Sequence, residues 1–293
     1  MLTYIETLAA LAEVGTMTRA ATRLRITQSA VSKRIATLEH QIGQKLVEPA
    51  GRRVRLTPFG IRLLDRATPH LAALKEALLE ETVPQGGRLV IGVSESILAS
   101  WGPPLLARVC AALPQLDLSL NAHRSPVAVE HVRSGEYMLA LVAGVSDDAP
   151  DLKAEKILEE PMVVVPSGLK SFPLSGTVPV LTIEPASATW AILERRLRRL
   201  SPQWTFRLEV ERTLQSFACI VQMARHGLGN GLVPAGVARA MGISSQHLIY
   251  LPEPGLTRPI GLVGRATTLA IPLVQEFSRG LRRELEAVSD FIA

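Results

Sequence analysis

Length and composition favour a globular protein of one to three domains. The chain has 293 residues, of which 47 % are hydrophobic and 20 % charged, and this balance argues against wholesale disorder. No apolar run approaches the roughly 18 residues of a membrane span, and residues 1–6 lack the basic start of a secretion signal. We therefore expect a cytoplasmic protein without a membrane partner. Cys110 and Cys219 stand apart, so we expect two core thiols, no disulfide and no metal site.

The net charge of +5 is concentrated at the start of the chain. The first 80 residues hold 12 Lys and Arg against 7 Asp and Glu, whereas the rest of the chain is balanced at 20 against 20. Residues 19–55 alone hold 9 basic against 2 acidic residues. Such a segment attracts a polyanion, although a solvated basic face has the same composition.

The first 43 residues predict three short helices. The first ends at Gly15, and Thr16 caps a second whose small residues Ala20 and Ala21 permit a close helix crossing. Thr27 caps a third helix, which has an apolar stripe formed by Val31, Ile35, Leu38 and Ile42. The opposite face of the third helix is polar and carries Gln28, Ser29, Ser32, Lys33 and Arg34.

A hairpin and a long helix follow. Strand segments at 46–48 and 54–56 flank a basic tip and predict a two-stranded wing. Thr57-Pro58 begins a helix with leucines three and four residues apart, which indicates either self-pairing or packing on its own domain. Pro69 should kink this helix or divide it. The candidate dimerisation residues are Leu64, Leu71, Leu74 and Leu78.

Residues 83–87 form a predicted linker, and an α/β pattern follows it. The predicted strands cover 89–93, 116–122, 138–143, 161–165, 178–183, 206–210, 231–233 and 259–263. Later helices are expected near 186–200, 214–226, 234–241 and 272–288.

Two helices joined by a tight link and followed by a basic wing are typical of duplex DNA recognition, although such modules also bind proteins. Gln28 can pair with adenine and Lys33 or Arg34 with guanine, while Ser29 and Ser32 can reach bases or phosphates. The wing arginines would follow the DNA backbone or the minor groove. These wing residues are Arg52, Arg53 and Arg55, and the further candidates for DNA contact are Thr18, Arg19 and Thr27.

The same residues resemble the LysR-type transcriptional regulators. The resemblance rests on RAATRL at 19–24, ITQSAVSKRI at 26–35, GRRV at 51–54 and LTPFG at 56–60. It implies a winged helix-turn-helix, a dimerising linker helix, and a two-lobed, doubly wound α/β effector domain of the periplasmic-binding-protein type. It also implies a homodimer or homotetramer, with RNA polymerase as a further candidate partner.

The sequence departs from the family pattern at two places. Residues 46–49 read LVEP, where the family usually has an aromatic residue and then an arginine, so we expect a reshaped wing with weaker phosphate contacts. Asn230, in the glycine-rich segment 227–234, stands where an apolar residue is common. A turn and a polar ligand contact both explain this asparagine.

Three segments follow from these patterns: the DNA-binding domain at 1–58, the linker helix at 59–82 and the effector domain at 83–293. If the chain crosses between the lobes at 161–162 and 264–266, lobe I contains about 88–161 and 267–293, and lobe II contains 162–266.

Ligands of doubly wound sheets bind beyond the carboxyl ends of the strands, between the lobes. Serines near helix starts, together with Arg124, would hold an anionic group such as a carboxylate, although helix capping and a surface ion pair explain the same residues. The candidate effector-binding residues are Ser94, Ser96, Trp101, Arg124, Ser125, Ala143, Gly144, Glu184 and Asn230.

The competing classes are a transport binding protein and an enzyme. A transport protein has no use for a basic winged module, and the sequence lacks the G-x-S-x-G, H-E-x-x-H and phosphate-loop motifs of common enzymes. We therefore expect a regulator that binds double-stranded DNA at an inverted repeat, is controlled by a small-molecule effector, has no cofactor and is not an enzyme.

Overall fold

The computed structural model describes residues 1–51, 53–82, 87–144, 151–173, 175–252 and 255–292. The chain divides into two compact units, Met1–Leu78 and Leu79–Ala293. The predicted fold class is confirmed, because a helical unit with a hairpin precedes a mixed α/β unit. Arg52 and residues 83–86 of the predicted linker lie outside the described residues.

The N-terminal unit contains three short helices, a hairpin and the start of a long helix. In chain order these are α1 (Leu2–Val14), α2 (Met17–Leu24), α3 (Gln28–Ile42), β1 (Val47–Ala50), β2 (Arg53–Leu56) and α4 (Pro58–Thr82). The core is formed by buried residues from all three short helices together with Leu46 and Leu64. Helix α4 is a single element, so Pro69 does not divide it.

A glycine fixes how the hairpin meets α4. A Cβ atom built on Gly60 would lie 2.3 Å from the carbonyl oxygen of Leu46, a distance that no side chain tolerates. Thr57 donates its backbone N–H to the same carbonyl at 2.9 Å. The base of the wing is therefore clamped to the first turn of α4.

The C-terminal unit alternates strands and helices. Its first part contains β3 (Arg88–Ser94), α5 (Glu95–Leu98), α6 (Gly102–Ala112), β4 (Asp117–His123), α7 (Ser125–Arg133), β5 (Leu139–Ala143) and β6 (Lys153–Val165). The remainder contains β7 (Gly176–Ile183), α8 (Ala188–Leu200), β8 (Phe206–Leu214), α9 (Phe217–Arg225), β9 (Asn230–Pro234), α10 (Ala235–Ala240), β10 (Ile249–Tyr250), β11 (Thr257–Gly264), α11 (Ala266–Leu269) and α12 (Pro272–Ile292).

The strands form one mixed sheet with the order β4-β3-β5-β11-β6-β9-β7-β8, and β10 pairs with β6. The pairs β3–β4 and β7–β8 are parallel, whereas β11 is antiparallel to both β5 and β6. Two large cores, one at each end of this sheet, define two lobes. In lobe I, helices α6 and α12 pack in one core, and α7 packs in a second, smaller core.

Strand β6 is much longer than the predicted strand at 161–165 because it begins at Lys153. Its first half carries four charged residues at or near the surface and so lacks the apolar signal of a buried strand. This half pairs with β11, and the second half pairs with β9 and β10. Strand β6 therefore passes from one lobe into the other.

The return to lobe I occurs earlier than the predicted crossing at 264–266. Thr257, at the start of β11, pairs with Pro161, and the preceding Leu256 accepts the backbone N–H of Met162 at 2.8 Å. Ile260 and Leu262 of β11 lie in the core of lobe I. The two crossings therefore lie side by side, one within β6 near Pro161 and the other at the start of β11 near Thr257.

A charged cluster joins the lobes at this double crossing. The Glu159 carboxylate on β6 accepts hydrogen bonds from Arg196 on α8, at 2.9 and 3.2 Å, and from the Thr257 hydroxyl at 2.7 Å. Burial alone would raise the pKa of Glu159, but the hydrogen bonds from Arg196 and Thr257 and the Arg196 charge outweigh it and lower the pKa to about 2.

We expect Glu159→Gln to destabilise the protein at neutral pH and to destabilise it less at pH 3. A carboxylate with a lowered pKa stabilises the folded state above its ordinary value of about 4.5, and the contribution disappears as the pH falls towards 2. Urea unfolding at pH 7 and pH 3 measures both differences. Glu155→Gln is the matched control on the same strand, because the Glu155–Arg282 pair is exposed and should contribute little. An equal destabilisation by Glu159→Gln at both pH values would contradict this assignment.

Candidate functional site

The link between α2 and α3 is set by two caps and one left-handed residue. Thr16 accepts the backbone N–H of Arg19 at 3.3 Å, and Thr27 accepts that of Ala30 at 3.2 Å. Arg25, between the two helices, adopts φ 54°, which lies in the left-handed region. The chain thereby turns within three residues, and the first turn of α3 is left clear of other elements.

Helix α3 separates into an apolar and a polar face, as the sequence predicts. Val31, Ile35 and Leu38 are buried against the other helices of the unit. The exposed face carries Gln28, Ser29, Ser32 and Lys33. One amide, two hydroxyls and one ammonium group are thus presented on successive turns of one helix, which suits contact with base edges and phosphates.

The remaining candidates on the helices differ in their freedom. Thr18 and Arg19 are exposed at the start of α2. Thr27 is exposed but is engaged as the cap of α3, and its hydroxyl lies 3.0 Å from that of Ser29. Arg34 is half-buried and donates to the Thr7 hydroxyl on α1 at 3.4 Å, so it is less accessible than Lys33.

A residue that the sequence did not single out holds the wing in place. The carboxylate of Glu39, near the end of α3, accepts the backbone N–H groups of Leu46 at 2.9 Å and Val47 at 3.3 Å. Lys45 pairs with the same carboxylate at 2.6 Å. Burial raises the pKa of Glu39, but the hydrogen bonds from Lys45 and the two backbone groups outweigh it, so the pKa lies below its usual value.

The hairpin is a regular antiparallel pair, with Val47 opposite Leu56 and Ala50 opposite Arg53. Val54 donates its N–H to the carbonyl of Gly15 at 2.9 Å, which ties the wing to the end of α1. Arg53 and Arg55 are exposed, and Arg55 is paired with Glu48 at 2.6 Å.

The candidate dimerisation residues on α4 have different environments. Leu64 packs in the core of its own unit, so its side chain is directed inward, and its role in a dimer interface stays a prediction. Leu71 is also buried, whereas Leu74 is exposed. The side chain of Leu78 lies outside the described residues.

A small cavity of about 50 Å³ lies between the lobes of the C-terminal unit. Five of the nine predicted effector-binding residues line it: Ser94, Ser96, Arg124, Ser125 and Ala143. The hydroxyls of Ser94 and Ser125 lie 2.8 Å apart, and the backbone N–H of Ala143 donates to Ser94 at 3.2 Å. These contacts join the carboxyl ends of β3 and β5 and the start of α7, as the rule for doubly wound sheets predicts.

The other four predicted residues lie outside the cavity lining. Gly144 packs so closely on α8 that a Cβ atom would lie 2.7 Å from Ala188. Glu184 pairs with Arg124 at 2.6 Å across the cleft. Trp101 is fully buried and donates its indole N–H to Glu160 at 3.1 Å.

Asn230 is structural rather than part of the cavity. Its side-chain oxygen accepts the backbone N–H of Ser167 at 3.0 Å, and its amide nitrogen donates to the carbonyl of Pro179 at 3.0 Å. The asparagine therefore joins β9 to β7 and to the chain after β6. Asn230 therefore begins strand β9 and does not lie in a turn, and it is outside the cavity lining.

The cavity has a charged wall that sequence patterns did not reveal. Arg258 on β11 lines the cavity, and its guanidinium binds Glu160 at 2.7 and 2.8 Å and the Ser96 hydroxyl at 3.1 Å. The Arg258 side chain is 1 % exposed and that of Glu160 is 0 % exposed. The guanidinium also lies 5.2 Å from the ring centre of Phe217 on α9, which joins the two lobes. These two charges are 98 residues apart in sequence, so no local motif marks them.

His123 is a second residue of the cavity that the sequence did not single out. Its Nε2 atom lies 2.7 Å from the Tyr137 hydroxyl, and its ring centre lies 5.1 Å from that of His131. His131 pairs with Glu136 at 2.7 Å. Burial and the neighbouring His131 lower the pKa of His123, so its neutral form is favoured at the cavity.

Within the described ranges, no group of three or more His, Cys, Asp or Glu residues could hold a metal ion, and no helix is long and apolar enough to cross a membrane. Cys110 is half-buried, and its pKa is raised by burial, whereas Cys219 is exposed, so the expectation of two core thiols is wrong for Cys219.

Comparison with known proteins relates both units to bacterial regulators. Residues 2–61 match the model of the bacterial regulatory helix-turn-helix proteins of the lysR family, and residues 84–286 match the LysR substrate binding domain. An uncharacterized HTH-type transcriptional regulator of Vibrio cholerae is 30 % identical over 278 residues, which cover 94 % of this chain and 93 % of the relative.

Two solved structures share the fold. A full-length OxyR variant from Pseudomonas aeruginosa has a TM-score of 0.66 at 20 % identity, and the match covers 96 % of this chain and 94 % of the OxyR chain. The LysR regulator CbnR, in complex with its target DNA, has a TM-score of 0.62 at 18 % identity and covers 97 % of this chain and 99 % of its own.

Proposed function

The chain belongs to the LysR family of transcriptional regulators, and from this premise we propose that it binds an interrupted inverted repeat under the control of an anionic small molecule. The proposal of DNA binding is supported mainly by the exposed polar face of α3. This face lies opposite the buried apolar face of the same helix, and a basic wing follows the helix in the chain. Two-fold symmetry of a dimer then requires half-sites about 10 bp apart or a multiple of that spacing.

Each DNA-contacting side chain has a proposed role. Gln28 and Lys33 read base edges, whereas Ser29 and Ser32 reach bases or phosphates. Arg53 neutralises a phosphate, which adds affinity without sequence information. Arg34 has a minor role because its guanidinium is directed at Thr7. The other proposed DNA contacts are Thr18, Arg19, Thr27, Arg52 and Arg55.

The effector is proposed to bind in the cavity between the lobes. Arg124, which is paired with Glu184, and Arg258, which is paired with Glu160, supply guanidinium donors there. Ser94, Ser96 and Ser125 supply hydroxyl donors, and the set suits a small carboxylate. The cavity of about 50 Å³ leaves little room, so a larger effector requires the lobes to separate. No cofactor is proposed, and the solute-binding and enzymatic alternatives are not favoured because the family consists of regulators.

The functional segments are proposed to be 1–58 for DNA binding, 59–82 for dimerisation and 83–293 for the effector. We place the protein in the cytoplasm as a homodimer or homotetramer, with RNA polymerase as a further candidate partner. An effector alters DNA binding only if it has different affinities for two arrangements of the assembly.

We expect Lys33→Ala to weaken binding to a selected duplex more than binding to a random one. A contact to a base edge discriminates between sequences by about 1–3 kcal/mol, whereas non-specific binding depends mainly on phosphates. The selected duplex is obtained with the wild-type protein from a random-sequence library, and Kd values are measured by fluorescence anisotropy.

Arg53→Ala and Arg66→Ala are the matched controls. Arg53→Ala should weaken binding to both duplexes equally and reduce the slope of log Kd against log salt by about one unit for each bound subunit, or about two units for a dimer. Arg66→Ala removes an exposed charge from α4 and should leave the Kd for both duplexes unchanged. Equal losses on the two duplexes for Lys33→Ala would contradict the base-reading role.

We expect Leu74→Asp to dissociate the dimer without unfolding the chain. Leu74 is exposed in the isolated chain, so a charge there should affect only an interface formed by α4. The measurement is the mass in solution by light scattering. Arg62→Asp places the same residue about 120° away around the helix and should leave the mass unchanged. An unchanged mass for Leu74→Asp would show that α4 is not the interface.

A further inference from the structure

One ion pair on the wing has no structural role that the rest of the unit requires. Glu48 and Arg55 stand directly opposite each other in the hairpin, and Arg55 Nε donates to Glu48 Oε1 at 2.6 Å. The Arg55 side chain is 71 % exposed and that of Glu48 is 42 % exposed. The hairpin is already held by Glu39, by Gly15 and by the clamp at Gly60. The pair therefore affects mainly what the wing presents to solvent.

Carboxylates and phosphates compete for the same N–H groups of an arginine guanidinium. Both present oxygen atoms to the planar fork of a guanidinium, so an arginine engaged by one binds the other less well. Arg53, the other described cation of the hairpin, has no ion pair within the described ranges. The two wing arginines are thus not equivalent: Arg53 is free to meet a phosphate, and Arg55 is retained by Glu48.

We propose that Glu48 sets the DNA affinity of the wing by holding Arg55 on the hairpin and competing with a DNA phosphate for its guanidinium. This inference rests on the proposed DNA binding. It identifies a residue that weakens the interaction, whereas the residues proposed above strengthen it. Because an exposed ion pair is weak, the competition is partial and the effect on affinity is modest.

A double-mutant cycle on Glu48 and Arg55 tests the proposal with the full-length protein. Glu48→Gln should tighten binding to both the selected and the random duplex about two- to fivefold, the range that exposed ion pairs span. The salt slope should become steeper, by at most about one unit for each bound subunit, because Arg55 then neutralises a phosphate more fully. Arg55→Ala should cost little while Glu48 is present but should abolish the whole gain in the Glu48→Gln background.

The controls separate this mechanism from two others. Asp65→Asn removes one carboxylate from the exposed surface of α4, so an equal gain there would mean that net charge alone is responsible. An equal gain from Glu48→Gln with and without Arg55 would mean that Glu48 repels DNA directly, and this result overturns the proposal. Unchanged or weaker binding by Glu48→Gln, in a variant with normal thermal unfolding, overturns it as well.

The outcome also distinguishes this proposal from the proposed function. If the wild-type protein selects no duplex from the library, the DNA-binding proposal fails and the inference fails with it. If the wild-type protein selects a duplex and Lys33→Ala loses it, but the cycle shows no coupling, only the role of Glu48 is wrong.

Discussion

Helix α3 must present two opposite faces, and the N-terminal unit is arranged around this constraint. Burial of Val31, Ile35 and Leu38 holds the helix, and each such side chain contributes roughly 1.5–3 kcal/mol. Thr16 and Thr27 cap the starts of α2 and α3, and Arg25 turns the chain between them. The link between the two helices is therefore short, and it leaves the polar face of α3 exposed. Glu39, on the same helix, holds the base of the hairpin because its carboxylate accepts the backbone N–H groups of Leu46 and Val47. One helix thus positions both its own polar face and the wing.

The C-terminal unit depends on charges that are buried where its two lobes meet. Removing two charges from water is costly, and it is tolerated only when hydrogen bonds satisfy both groups. Glu160 meets this condition with Arg258 and Trp101, and Arg258 is further bound by Ser96 and covered by Phe217. These partners come from both lobes, so a ligand that moves the lobes must rearrange or preserve this network. That requirement gives an effector a physical means to favour one lobe arrangement over another.

Local patterns predicted the elements of the N-terminal unit well because caps, glycines and the apolar stripe of α3 act within a few residues. They placed five residues of the cavity lining for a related reason, since the ends of parallel strands converge at one edge of the sheet. They failed where distant residues decide. The contacts of Arg258 with Glu160 and of His123 with Tyr137 are made between separate strands and loops, so no local motif marks these residues. The first half of β6 is polar, so the apolar pattern did not predict the full strand along which the chain crosses between the lobes. Leu64 fits the spacing of the leucine stripe but packs inward, because spacing alone does not distinguish an interface from a core.

Genome-wide capture of DNA fragments by the purified full-length protein, at near-physiological salt and with a non-specific competitor, would show whether α3 reads the DNA sequence. We expect a few enriched intergenic sites that share an inverted repeat and disappear with Lys33→Ala, while non-specific binding at low salt persists. The neighbouring genes would then identify candidate anionic effectors. Enrichment that is equally strong with Lys33→Ala, or that shares no repeat, would contradict the claim that α3 reads the sequence.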